Sequence, residues 1–221
     1  MAFYGMLLRT LFFCCIFPLG VLFSQSGLSA DDGLKTEIDR ASELMERGEL
    51  AQGAAIAWAC IPKAQQAGLH SVEGRAYHLL AGASFNTQDF DKAMLYARNA
   101  FRAYQKGGDM RGMGNAYQIV GVMMLATRQL DSAFYYAQES ARCYEAIGDM
   151  DKVALAYTRM AHVFNLKEAY EKATPYYLRS YAISQKDTLT YGFMNANLSL
   201  ASNFIYRKEY EAAQRYALKA Y

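Results

Sequence analysis

Apolar and small residues return along this chain with a period of 40 residues. One register carries Leu50, Phe90, Leu130, Tyr170 and Tyr210. Three residues on stand Gly53, Ala93, Ala133, Ala173 and Ala213, and four further on Ala97, Ala137, Tyr177 and Ala217. Three more bring Cys60, Ala100, Ser140, Ser180 and Ala220, all small except for the thiol. A second set reads Tyr77, Tyr117, Tyr157 and Asn197, followed three on by Leu80, Val120, Met160 and Leu200, and next to those by Ala81, Gly121, Ala161 and Ala201. Agreement in so many columns at one offset, without a gap, marks an internal repeat, and the repeat decides the architecture.

Each row holds two amphipathic helices. Tyr117, Val120, Gly121 and Met124 lie at i, i+3, i+4 and i+7, one face of a first helix. Leu130, Ala133, Ala137, Ser140 and Ala141 do the same in a second. Short polar segments such as Asn86-Thr87-Gln88 and Thr127-Arg128-Gln129 join the two as an antiparallel hairpin. Gly107-Gly108-Asp109 and Gly148-Asp149 end one row and open the next, glycine as the left-handed C-terminal residue and aspartate as the following N-cap. The pattern predicts helices near 34–47, 50–66, 72–86, 89–105, 110–126, 129–146, 149–165, 169–185, 190–206 and 208–221, an all-α fold. Pro62 and Pro175 fall inside second helices and should bend them, since each removes an intrahelical bond. In the first row Glu37 and Arg40 stand where the pattern wants apolar residues, so its first helix reads as an N-terminal cap with a wetter face.

The spacings Tyr77-x2-Leu80-Ala81, Tyr117-x2-Val120-Gly121 and Tyr157-x2-Met160-Ala161-x2-Phe164, followed by Ala173-x3-Tyr177-x2-Ser180, resemble the tetratricopeptide repeat. The resemblance covers residues 33–221, with units at 33–72, 73–112, 113–152, 153–192 and an incomplete 193–221. The period is longer than the usual 34 residues, and the usual proline at the repeat end is missing. The resemblance implies a right-handed superhelical solenoid of hairpins whose first helices line a concave groove for peptides or protein segments. It assigns the groove to Arg75, His78, Asn115, Gln118, Thr158, Arg159, His162, Asn165, Asn195 and Ser202, with Leu155, Leu198, Ser199 and Ile205 among their neighbours. That set is rich in amides and poor in charge. It suits an extended peptide backbone, with Arg75 or Arg159 for a carboxylate. The Lys/Asn/Arg clamp of chaperone-tail binders is not reproduced.

Residues 1–30 differ in kind. Arg9 precedes an apolar run from Leu11 to Phe23, and small and polar residues follow. This is the order of a secretory signal peptide over residues 1–26, cleaved after Ser26 or as late as Ala30. Thirteen apolar residues are few for a span of ~30 Å of hydrocarbon; membrane attachment is expected only if this segment is retained. Phe12 and Phe13 before Cys14-Cys15 argue against a lipoprotein signal. The mature chain is therefore expected to be secreted or periplasmic.

Composition narrows the chemistry. The chain has 53% hydrophobic and 20% charged residues, enough for a buried core, and a net charge of +2, too small a bulk field to predict a nucleic-acid partner. Cys60 and Cys143 are two rows apart, which predicts separate buried thiols. His70, His78 and His162 fit no metal or catalytic motif, and His70 is expected in a solvated turn. Gly112-x-Gly114 lacks the strand and lysine of a phosphate loop and reads as a flexible junction. Asn197-Leu198-Ser199 matches a glycosylation acceptor, but Asn197 occupies the tyrosine column and should be inside. No cofactor and no enzyme activity are expected. The expected function is a non-catalytic binding scaffold for a protein or peptide. The alternative is the extracytoplasmic input part of a bacterial histidine kinase or transcriptional regulator. The fifth row stops inside its second helix, and the small-residue face of Ala213, Ala217 and Ala220 predicts end-to-end self-association, fraying, or a longer parent chain.

Overall fold

A computed structural model describes residues 30–186 and 191–220; the expected signal segment lies outside the described residues, apart from Ala30. Ten helices follow one another: α1 (Ala30–Glu46), α2 (Leu50–Ala67), α3 (His70–Asn86), α4 (Phe90–Lys106), α5 (Met110–Ala126), α6 (Leu130–Ala146), α7 (Met150–Leu166), α8 (Tyr170–Ser184), α9 (Tyr191–Tyr206) and α10 (Tyr210–Lys219). Among the described residues there is no strand. From α3 to α7 each helix has 17 residues, and three-residue turns alternate with them, which produces the 40-residue period and the long helices it requires. Expected and observed ends differ by a few residues, most at α1, which begins at Ala30.

The turns share one device. Within the hairpins, Gly48, Gln88, Arg128, Glu168 and Lys208 have φ between 58° and 86°, and between hairpins Gly68, Gly108 and Gly148 lie at 66–71°. The next residue's N–H then reaches back five residues, as in Asp89 N to Ser84 O at 2.9 Å and Asp109 N to Tyr104 O at 2.9 Å, which closes the open carbonyls of the helix end. Asp89, Asp109 and Asp149 cap the following helices by accepting from Lys92 N, Gly112 N and Lys152 N.

Successive helices pack as antiparallel pairs, and first helices also touch first helices, α1 on α3, α3 on α5 and α7 on α9. The small columns carry the close approach: Ala93, Ala97, Ala100, Ala133, Ala137 and Ala173 are buried. Aromatic rings fill the remaining gaps, as in Phe134, Phe164 and Tyr176, whose centroids lie 5.4–5.7 Å apart. The tyrosine column itself is only half-buried at Tyr77, Tyr117 and Tyr157, whereas Asn197 in the same column is fully buried, so the acceptor asparagine is inside the fold.

Several local expectations need correction or completion. Gly112 and Gly114 are not a flexible junction. They sit inside α5, where the Tyr104 ring lies so close that a Cβ on Gly112 would stand 2.1 Å from it, and the same ring faces Gly74 on α3. Gly112 and Gly74 are there because one buried tyrosine needs flat helix surfaces on both sides, and Gly114 meets a second ring, that of Tyr144 in α6. His70 is not in a solvated turn. It is the first residue of α3, half-buried, with Nδ1 sealed from water 3.6 Å from a Glu73 carboxylate oxygen. Helices α2 and α8 run on through Pro62 and Pro175, both exposed, so water can reach the carbonyls that lose their donor. Glu37 and Arg40 are exposed while Leu34, Ile38 and Ala41 are buried, which makes α1 the half-wet first helix expected. Cys60 and Cys143 are free and buried. Burial and the Glu37 carboxylate that accepts its S–H push the Cys60 thiol up to about 11.

Candidate functional site: the inner face of the first helices

The first helices α3, α5, α7 and α9 contain only two acidic residues, Glu73 and Asp151, and none in α5 or α9. Glu73 accepts from Gln65 Nε2 at 2.7 Å, and Asp151 is exposed in the first turn of α7. Their cations are Arg75, Arg111, Lys152 and Arg159. Arg75 is held by Asp39 of α1, and Arg111 by Asp149, so two of the four are neutralised.

The structure divides the predicted groove residues into two groups. The first group works inside the fold. Tyr144 of α6 donates to Asn115 Oδ1 at 2.6 Å and lies 3.4 Å from Gln118 Oε1, and burial pushes its phenol up to about 12. Thr158 shares a hydrogen bond with Ser180 of α8 at 2.8 Å, so it ties α7 to α8. Asn165 donates to Tyr177 Oη at 3.0 Å and accepts from Asn203 Nδ2 at 2.9 Å. Asn203 also donates to Tyr170 O and accepts from Thr174, which Arg207 contacts in turn. This buried polar network is satisfied at each of those atoms, as a buried amide requires.

The second group faces open space. His162 and Ser202 are exposed and, with the edge of Asn165, line a cavity of about 500 Å³ between α7 and α9. That is within the range of ligand sites, roughly 300–1,000 Å³. Its other walls are Arg128, Leu166, Glu168, Tyr170, Tyr177, Leu198, Ser199 and Tyr206, with the Tyr170 and Tyr206 rings stacked at 5.0 Å. Asn195 is half-buried and is not part of this wall. His78 is half-buried, its Nδ1 sealed without a partner; burial first, then the charges of Arg75 and Lys152, lower its pKa to about 4. Partial desolvation lowers that of His162 as well. Arg159 is half-buried, and burial lowers its pKa too.

The column analysis did not assign Arg128, Glu168, Tyr170, Tyr177 or Tyr206 to the site. They come from turns, from α8 and from the end of α9. One signal was available: Tyr177 is the large residue in a column otherwise held by Ala97, Ala137 and Ala217, and Asn203 is the polar residue in the column of the buried Met123 and Val163. These two exceptions, bridged by Asn165, mark the place where the packing departs from the repeat.

Among the described residues no His, Cys, Asp and Glu side chains are grouped to hold a metal ion, and no helix is long and apolar enough to cross a membrane.

No protein-family model and no curated protein matches the sequence. Solved structures do. A signal transduction ATPase with numerous domains, with a tetratricopeptide repeat sensor, from Pyrococcus horikoshii aligns at TM-score 0.76 and 20% identity, over 86% of this chain and 29% of that one. BtubC (BKLC) from P. vanneervenii aligns at TM-score 0.73 and 15% identity, over 86% and 79% of the two chains. The apo quorum sensor NprR from B. thuringiensis aligns at TM-score 0.64 and 20% identity, over 87% and 54%. At such identities the likeness concerns the fold. The chain folds as a right-handed superhelical solenoid of tetratricopeptide-like hairpins.

Proposed function

We propose that the chain is a non-catalytic scaffold that binds an extended protein or peptide segment along the inner face of its first helices. The observation that carries this reading is the cavity between α7 and α9, open on that face and walled by hydroxyl, imidazole and aromatic groups. Such a wall provides hydrogen bonds for a backbone and apolar contact for a side chain. Export by the N-terminal segment would place this activity in the periplasm or outside the cell, and N-terminal sequencing of the mature protein tests cleavage after Ser26 against Ala30.

A pull-down from native extracellular or periplasmic extract, followed by calorimetry with the captured partner, tests the groove. His162→Ala with Ser202→Ala should weaken binding at least tenfold. Arg98→Ala with Gln138→Ala, on the exposed backs of α4 and α6, should leave it unchanged. The groove pair is preferred to changes at Asn165, because Asn165 supports Tyr177 and Asn203 inside the fold. Equal affinity for both variants and the wild type would reject the reading.

A second reading is favoured by two of the similar structures, one with a tetratricopeptide repeat sensor and one a quorum sensor. By that analogy the groove is the extracytoplasmic input of a bacterial histidine kinase or transcriptional regulator. A membrane span and an output motif in a longer parent sequence would favour it over the free scaffold.

A further inference from the structure

A second cavity is walled by α4, α5 and α6, on the side of the second helices. It holds about 200 Å³, and none of the residues assigned to the groove lines it. Three rings surround it. Phe101 and Tyr117 have centroids 4.9 Å apart, and Tyr117 and Tyr136 6.1 Å, with Val120 among them. Arg98 and Arg102, one turn apart on α4, line it as well. Both are exposed, and among the described residues neither has an ion-pair or hydrogen-bond partner.

The repeat shows what these arginines lack. One period on, the same columns form a cavity of about 250 Å³ walled by α6, α7 and α8. There Arg142 donates to Glu139 at 2.6 Å, and Tyr157 donates to Glu145 at 3.2 Å. Arg142 and Tyr157 are the counterparts of Arg102 and Tyr117. The counterparts of the two glutamates are Asn99 and Gln105, both neutral. The later row thus sets carboxylates of its own on the cation and on the phenol, and the earlier row sets none. Glu139, whose charge reaches Tyr117 from α6, is engaged by Arg142. Phe101 stands where the later cavity has Ala141, which adds an aromatic wall.

We propose that the cavity of α4, α5 and α6 binds a small aromatic monocarboxylate, its ring among Phe101, Tyr117 and Tyr136 and its carboxylate on Arg98 and Arg102. The size fits one ring, since an apolar protein cavity of roughly 150 Å³ takes up benzene. Offset and edge-on contacts hold the ring. The guanidinium groups meet the carboxylate through charge-assisted hydrogen bonds. The site is separate from the groove, so replacing Arg98 alters this cavity and leaves the groove partner bound.

NMR titrations of the whole protein with 3-phenylpropanoate, 3-phenylpropanamide and butanoate test this. The phenyl acid should shift the amides of Phe101, Ala116 and Tyr117. It should bind about fivefold more tightly than its amide, the effect of an exposed ion pair. Butanoate, an anion without a ring, should bind more weakly than the phenyl acid. Arg98→Gln with Arg102→Gln should bring acid and amide to equal affinity, and both positions are exposed, so the fold is kept. Asn99→Glu should reduce the difference too, because it gives Arg102 the partner that Arg142 has in the next row. Three results would each overturn the proposal: equal affinities of acid and amide for the wild type, butanoate binding as tightly as the phenyl acid, or no shift at these amides with the acid at ~10 mM.

Discussion

At the scale of single residues, the hairpin turns show a departure from the easiest chemistry. Gln88, Arg128, Glu168 and Lys208 hold a left-handed conformation that costs a residue with a Cβ ~1–2 kcal/mol, where Gly48 in the first row does not. Gln88→Gly should therefore stabilise the protein by about 0.5–1 kcal/mol after the entropic cost of glycine. That is a rise of roughly 1–4 °C in Tm for a domain of this size, readable by calorimetry; a lower midpoint would contradict it. His78 gives a pH prediction of definite sign. Its folded pKa, about 4, lies below the usual 6.5, so the unfolded chain takes up the proton first. The His78 contribution is flat above pH 6.5 and turns against the folded state as pH falls toward 4. His78→Asn should flatten the fall of Tm between those values. The wall of the candidate site was legible in part at this scale. His162, Asn165 and Ser202, assigned from their columns, line the cavity. That Arg75 is already held by Asp39 is not legible in the columns, because the pair is 36 residues apart and depends on how two first helices stack. Nor could periodicity show that Asn115 and Gln118 serve Tyr144, since a half-buried amide reads the same whether it faces a ligand or a neighbouring phenol.

At the scale of helices, close approach is the controlling quantity. Gly112→Ala would bring a Cβ into the Tyr104 ring, and the ring is itself confined by Gly74 on α3. Overpacking of this kind costs ~1–3 kcal/mol, so Gly112→Ala and Ala133→Leu, the latter at a buried position of α6, should each lower the urea midpoint. An unchanged midpoint for either would mean that the ring or the helix has room to move. Helix number, order and approximate ends were readable because packing obeys the same 3.6-residue stripe in every row. The glycines in α5 were misread for a related reason. Glycine ordinarily signals a turn, and only the contacts with Tyr104 and Tyr144, from the preceding and the following helix, explain Gly112 and Gly114 as surfaces made flat for a ring. The left-handed turns at Gln88 and Arg128 left no signal because neither position carries glycine or asparagine.

At the scale of the molecule, stability is distributed along one dimension, since each hairpin packs on its sequence neighbours. α10 buries only Ala213, while α5 buries seven residues. Native-state hydrogen exchange should therefore show α10 opening at much lower free energy than α5 and α6. Uniform protection would show a single cooperative unit instead. The left-handed turns, which recur every 20 residues from Gly48 to Glu168, have a mechanical consequence too. They join packed helices, and no described strand ladder runs across them to resist a pull along the chain. Stretched from its ends, such a protein gives way hairpin by hairpin, each release freeing about 40 residues, or roughly 130–145 Å of contour length. It behaves under load as a spring with evenly spaced yield points, and a segment lodged along α7 and α9 would stiffen the coil at that spot.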